Sequence, residues 1–366
     1  MDAKSAFAHW LGVAKETLPE LSEDDLKPIE SALYRAPHAD ARAQEKFETP
    51  WLDRYYTDLS SRLGLSPKPF WPGGASFALC LTHDIDRVLS TIQRAKKLWK
   101  HPLTAAKALA WDTATAFVHK EKNPYYNFQE AMDWQAEWQV PLTCYVLFEK
   151  RRWKRAFTRL ELQHVWGVYD PAMIKESLLK FKEAGNEIGI HSSFTSWSDP
   201  AALSRERETL ESWGLGPVTG VRSHYLNFSS KTPDHCHQAG MSYDSTMGFN
   251  FHNGFRCGTS FPFPWNGVWE VPFQLMDSAL RQQESTASGR LARAMRCLEA
   301  VHGSQGVLTL NFHLQMINPS MFPEEIAILE ALLSRAKALG AWLTTPQQVV
   351  THWVNRLSQS PSQDRI

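Results

Sequence analysis

Seven short apolar runs recur along the chain: Phe77–Leu81, Leu142–Phe148, Glu187–Ile190, Val218–Val221, Val268–Pro272, Val307–Phe312 and Ala341–Leu343. Between several of them lie longer stretches with the apolar spacing of helices, namely Tyr126–Trp138, Pro171–Ala184, Ala201–Trp213, Arg290–Val301 and Pro323–Leu339. Short buried strands alternating with amphipathic helices predict a parallel α/β barrel or a doubly wound sheet. Ahead of them, residues 1–65 read as a helical extension, with Ser22-Glu23-Asp24-Asp25 and Thr49-Pro50 as helix starts. Ser66-Pro67-Lys68-Pro69-Phe70-Trp71-Pro72-Gly73-Gly74 is a link too rich in proline and glycine to be either element. The α/β unit is expected over residues 75–350, and the polar stretch 358–366 is expected to be a flexible tail.

Composition narrows the function classes. Lys+Arg and Asp+Glu number 39 each, so the chain lacks the basic excess of a general nucleic-acid or anionic-membrane binder. Its five cysteines are odd in number, widely spaced and free of any C-x-x-C, which predicts reduced thiols rather than a disulfide framework. Neither a cleavable leader nor an apolar stretch of membrane-spanning length is legible, so a cytoplasmic protein is the expectation. Fifteen tryptophans supply many flat apolar plates of the kind that stack on sugars, although most such rings pack cores.

The chemistry-bearing groups sit where the apolar runs stop. Leu81-Thr82-His83-Asp84-Ile85-Asp86-Arg87 closes the first run, and on a continuing strand Asp84 and Asp86 share a face. One carboxylate could then bind a metal while the other acts as a base. Gly185-Asn186-Glu187-Ile188-Gly189-Ile190-His191-Ser192 ends a second run in a histidine, Val221-Arg222-Ser223-His224-Tyr225 ends a third, and Leu310-Asn311-Phe312-His313 ends a fourth. Strand ends of an α/β fold are where ligands are held, so four ionisable ends in one chain point to a site. Lys150-Arg151-Arg152-Trp153-Lys154-Arg155 places five basic residues around one tryptophan, either a solvated loop or an attractor for an anionic ligand or surface.

The order T-x-D-x-D, G-N-E-I-G-I-H-S, R-x-x-Y and L-x-x-H resembles the polysaccharide deacetylase family, also known as carbohydrate esterase family four, over roughly Ala75 to Gln348. The L-T-H-D-x-D opening is similar to that of a divergent branch among bacterial surface-polysaccharide proteins. The resemblance implies a distorted (β/α) barrel that uses a divalent metal, commonly zinc, to hydrolyse an N-acetyl amide, or an O-acetyl ester, on a glycan. It makes Asp84 the base, Arg222 its orienter, His313 the general acid, and Asp86 and His191 metal ligands. Tyr225 closes the arginine motif and is a candidate for contact with the substrate. Thr195 stands where the family keeps a second histidine ligand; His224, at a position where the family usually has proline, is the leading replacement and His83 another, or else the metal is weak, different or absent. Asp244, Arg256, Trp197 and Trp265 are candidates for contact with a carbohydrate substrate; an ion pair and core packing are the structural alternatives for these residues.

Two rival functions remain at this stage. A degenerate barrel could bind a glycan without turning it over, or the fold could run amide hydrolysis without metal. His83-Asp84 also spells the pair of HD-type phosphohydrolases, but those carry it on helices, and here it follows a strand-like run. The oligomeric state is not legible.

Overall fold

A computed structural model of the chain describes residues 2–35, 47–89, 122–149 and 169–358, together with positions 103, 107 and 110. At its centre lies β1 (Phe77–Ile85), whose nine residues are all buried. A strand covered on both faces has no use for polar alternation and therefore reads as a continuous apolar run. Along one edge β1 pairs with β9 (Val307–Asn311). Along the other it pairs first with β10 (Ala341–Thr344), through Phe77–Cys80, and then with β2 (Leu142–Leu147), through Leu81–Ile85. Beyond β2 follow β3 (Glu187–Ser192), β4 (Gly220–Ser223), β5 (Tyr243–Asp244) and β7 (Val268–Glu270), and β8 (Leu275–Met276) flanks β9. These pairings are all parallel; the antiparallel one joins β7 to β6 (Phe263–Trp265).

The sheet curls into an incomplete barrel ringed by helices, which decides between the two architectures the alternation allowed. In chain order the α-helices are α1 (Ala3–Leu11), α2 (Glu23–Glu30), α3 (Trp51–Arg62), α4 (Phe128–Trp138), α5 (Lys175–Glu183), α6 (Pro200–Ser212), α7 (Thr232–Gln238), α8 (Asp277–Gln283), α9 (Ala287–Ser304), α10 (Pro323–Ala338) and α11 (Pro346–Ser358). The expected basic stretch at 150–155, and all of the expected tail except Ser358, lie outside the described residues. No helix among the described residues is long and apolar enough to cross a membrane. All five cysteines are buried and unpaired.

Strand alternation decides where β1 sends its side chains. Phe77, Leu79, Leu81 and Ile85 belong to the large core beneath the surrounding helices, whereas Ala78 and Cys80 belong to a second core. That second core is completed by Phe7, Trp10, Leu52 and Tyr56 of the N-terminal helices, by Val349 and Trp353 of α11, and by Phe261 and Phe263. Because Ala78, Cys80 and Val307 lie at the starts of β1 and β9, the N-terminal helices cover the amino-terminal end of the barrel. Thr82 and Asp84 continue the inward-facing series of Ala78 and Cys80 up to the carboxyl end.

Two glycines make room for the barrel interior. A Cβ on Gly189 would lie 2.6 Å from the Tyr145 ring, and one on Gly220 would lie 2.1 Å from that of Tyr243. These two tyrosines meet hydroxyl to hydroxyl at 3.0 Å, and Tyr243 donates onward to the buried Glu187 carboxylate. Their rings fill the barrel below the functional groups.

Candidate active site

At the carboxyl end of β1, Asp84 is almost fully buried and held on both oxygens. Arg222 Nη1 donates to Oδ1 at 2.9 Å, and Asn311 Nδ2 donates to Oδ2 at 2.7 Å. Arg222 is itself fixed from several sides. It donates to Thr82 Oγ1 at 2.8 Å, to the Ser245 carbonyl at 2.9 Å and to Ser245 Oγ at 3.0 Å. Its guanidinium also lies 4.5 Å from the Tyr145 ring centre and 4.7 Å from that of Phe273. Burial works against a charge on Asp84, but the positive charges of Arg222, His191 and His313 outweigh it and hold the carboxyl below its ordinary range.

Two residues further on, Asp86 keeps 25% of its side chain open to solvent and is the point on which three imidazoles converge. His191 Nε2 stands 3.3 Å and His224 Nε2 3.9 Å from Asp86 Oδ1, while His313 Nε2 stands 3.5 Å from Oδ2. Among the described residues, Asp86 Oδ1 is buried without a hydrogen-bond partner. One ligand atom from each of Asp86, His191 and His224 falls within 4.8 Å of the other two. An orphaned carboxylate oxygen facing two imidazole nitrogens is a donor set that suits a divalent ion such as zinc, which commonly takes two histidines and one acid. His191 Nδ1 lies 2.9 Å from the Arg222 carbonyl, which places a proton there, so that Nε2 is the nitrogen that would give up its proton to become the lone pair an ion needs.

His313 follows β9 and leans on Asp277, the first residue of α8. Its backbone N–H donates to Asp277 Oδ2 at 2.6 Å, and its Nδ1 lies 2.8 Å from Oδ1. Burial pulls the imidazole pKa down, but the Asp277 and Asp86 carboxylates override it and keep His313 protonated well above its ordinary value. His224 heads a turn in which Tyr225 and Leu226 adopt φ of 57° and 52°, left-handed values that are costly for residues with a Cβ. The turn is held by Asn227, which donates to the His224 carbonyl, and by Asn250, which donates to that of Tyr225, both at 2.8 Å.

No protein-family model matches the chain, and no curated protein matches it in sequence. Solved structures do match. A Mycobacterium smegmatis protein assigned to the polysaccharide deacetylases superposes with a TM-score of 0.51 at 18% identity, over 78% of this chain and 93% of its own. The chain has the polysaccharide deacetylase fold. The Puue allantoinase superposes equally well, with a TM-score of 0.51 at 14% identity over 81% of this chain and 95% of its own. At such identities the likeness concerns architecture, and chemistry has to be argued from the side chains.

Within the polysaccharide deacetylase fold, the structure gathers Asp84, Asp86, His191, Arg222, His224 and His313 at the carboxyl ends of β1, β3, β4 and β9. Of the two residues weighed as replacements for a histidine at Thr195, His224 joins the cluster and His83 does not. Alternation turns His83 to the opposite face of β1, where its Nδ1 meets the Phe312 carbonyl and burial lowers its pKa to about 4, so it is a neutral core residue. Thr195 itself lies 3.4 Å from Ser193 Oγ, hydroxyl to hydroxyl.

The expected substrate contacts divide. Tyr225 and Trp197 are half-buried and adjoin exposed Phe194: the Trp197 indole N–H donates to the Phe194 carbonyl at 3.1 Å, and the Tyr225 and Phe194 ring centres are 6.3 Å apart. Asp244 and Trp265 correct the reading, because protein encloses both. Asp244 sits on β5 opposite Glu270 of β7, its carboxyl pushed up to about 6 by burial, and accepts the Thr246 hydroxyl. Trp265 lies on β6, packed against Tyr34 and Phe228 in the second core. Arg256 braces its own loop by donating to the Gly248 carbonyl at 2.8 Å. Sequence reasoning gave no role to Asn311, Asp277 or Glu149, the groups that hold Asp84, hold His313 and face His224.

Proposed function

We propose that this chain is a metal-assisted hydrolase that removes an acetyl group, as an N-acetyl amide or an O-acetyl ester, from a carbohydrate. The observation that carries the reading is the convergence of three separate devices: a carboxylate locked by arginine, an Asp-His-His donor set, and a histidine backed by a second carboxylate. A degenerate binding protein has no need for all three. Asp86, His191 and His224 would hold the ion, which when bound supplies polarisation of the acyl carbonyl and a lowered pKa for an adjacent water.

The chain's own groups manage the protons. Asp84 stays ionised at neutral pH, as a base must, and Arg222 and Asn311 fix both its oxygens so that it cannot swing away as it takes a proton from water. His313, protonated and fixed through Nδ1 by Asp277, presents Nε2–H towards Asp86, from where it can give a proton to the leaving nitrogen or oxygen. The half-exposed rings of Phe194, Trp197 and Tyr225 line the rim beside His224 and offer apolar faces to a sugar.

The test is hydrolysis of a panel of N- and O-acetylated saccharides by zinc-loaded wild type, Asp84→Asn and His313→Ala. The reading predicts acetate release by wild type and a loss of about a hundredfold or more in each variant with the fold retained. Variants as active as wild type would refute the assigned roles.

A further inference from the structure

Each of the three imidazoles around Asp86 has an oxygen behind it. His191 Nδ1 meets the Arg222 carbonyl at 2.9 Å, His313 Nδ1 meets Asp277 Oδ1 at 2.8 Å, and His224 Nδ1 faces Glu149 Oε2 at 3.7 Å. We propose that Glu149, just beyond the end of β2, is a positioning residue that sets the tautomer and orientation of His224 for ion binding. The inference rests on the metal-site reading above and names the group that lets a histidine after β4 serve where the loop after β3 offers only Thr195.

Glu149 is anchored well enough for the task. Its side chain is 7% exposed, and Oε2 accepts the Phe194 backbone N–H at 2.7 Å. At 3.7 Å the approach to His224 is an attraction of charge and dipole rather than a hydrogen bond. In an enclosed setting that attraction still favours the tautomer with its proton on Nδ1, so that Nε2 faces Asp86 and His191 as a lone pair. The same carboxylate joins three strand ends: its own after β2, Phe194 after β3 and His224 after β4. Carboxylates behind metal-binding imidazoles typically change ion affinity by about 10- to 100-fold.

The experiment measures zinc affinity of the metal-stripped full chain against a chromophoric chelator, with the visible spectrum of the cobalt-loaded protein as a second readout. Glu149→Ala and Glu149→Gln should weaken zinc binding by about 10- to 100-fold and perturb the cobalt bands, while the circular dichroism stays native. In a His224→Ala background, Glu149→Ala should cause no further loss, because a residue acting through His224 has nothing left to position. Glu149→Gln keeps an acceptor for the Phe194 N–H and carries the test if the alanine variant does not fold. Wild-type affinity in both variants, or an equal loss in both backgrounds, would overturn the inference. A wild type that takes up no ion would overturn the functional reading itself, a result distinct from either.

Discussion

Arg356 of α11 clamps the N-terminal helices to the barrel, and removing it should loosen them measurably. Its guanidinium donates to four carbonyls on two segments of main chain: Nη1 to those of His9 and Trp10 at 3.0 Å each, Nε to that of Pro69 at 3.0 Å, and Nη2 to that of Lys68 at 2.6 Å. It also lies between aromatic rings, 5.0 Å from the centre of Phe70 and 4.9 Å from that of Trp353. The first two carbonyls belong to the last turn of α1, where the helix runs out of N–H donors; the capping Gly12 N–H reaches the His9 carbonyl at 3.1 Å, and Arg356 supplies the further donors. A hydrogen bond from a charged donor contributes about 1.5–3 kcal/mol net, and four around one group are not additive. Relief of the cost of burying a charge offsets part of the loss. Arg356→Ala should therefore destabilise by about 3–5 kcal/mol, and Arg356→Lys by a smaller amount, since an ammonium cannot span the fork. Urea unfolding followed by tryptophan fluorescence reads the effect, because Trp10, Trp71 and Trp353 belong to that core. A loss under about 1 kcal/mol for the alanine variant, or a lysine variant as unstable as alanine, would refute the clamp.

Three further outcomes follow from the same structure. Gly220→Ala pushes a methyl into the Tyr243 ring, where a Cβ would come within 2.1 Å, so it should cost at least about 1–3 kcal/mol in denaturant unfolding. Asp53 is buried, and burial raises its pKa from 3.8 to about 6 despite hydrogen bonds from Ser260 and Thr259. Since the folded form binds this proton more tightly than the unfolded one, its contribution is complete below pH 3.8 and is lost as pH rises to about 6. That loss is roughly 3 kcal/mol, and Asp53→Asn should flatten this part of the stability–pH curve. Asp277→Asn removes the charge that keeps His313 protonated, so the alkaline limb of kcat/KM should move to lower pH; an unmoved limb would detach Asp277 from the acid.

The sequence exposed the fold wherever a strand was long enough to have a pattern. β1, β2, β3 and β9 were legible as apolar runs because they are buried on both faces. β5 and β8 span two residues each, too few for any periodicity, and β6 spans three. That is why the sequence leaves Asp244 and Trp265 open between substrate contact and a structural role, whereas their strands turn both into protein. Asp84, Asp86, His191, Arg222 and His313 were legible because each ends a recognisable run. His224 is preferred to His83 from the sequence only through its place in the arginine motif; the physical reason, that His83 lies on the face of β1 turned away from the site, needs the fold. Asn311, Asp277 and Glu149 are single polar residues whose importance arises from what the fold places beside them, although each follows or closes a strand, and that position was the available signal.

The central claim is that Asp86, His191 and His224 hold a divalent ion beside the base Asp84. An anomalous difference map at the zinc edge from zinc-soaked crystals tests it most directly. The account predicts one strong peak about 2.0–2.2 Å from a carboxylate oxygen of Asp86 and from Nε2 of both His191 and His224. No peak there, or a peak that leaves His224 uncoordinated, would contradict it.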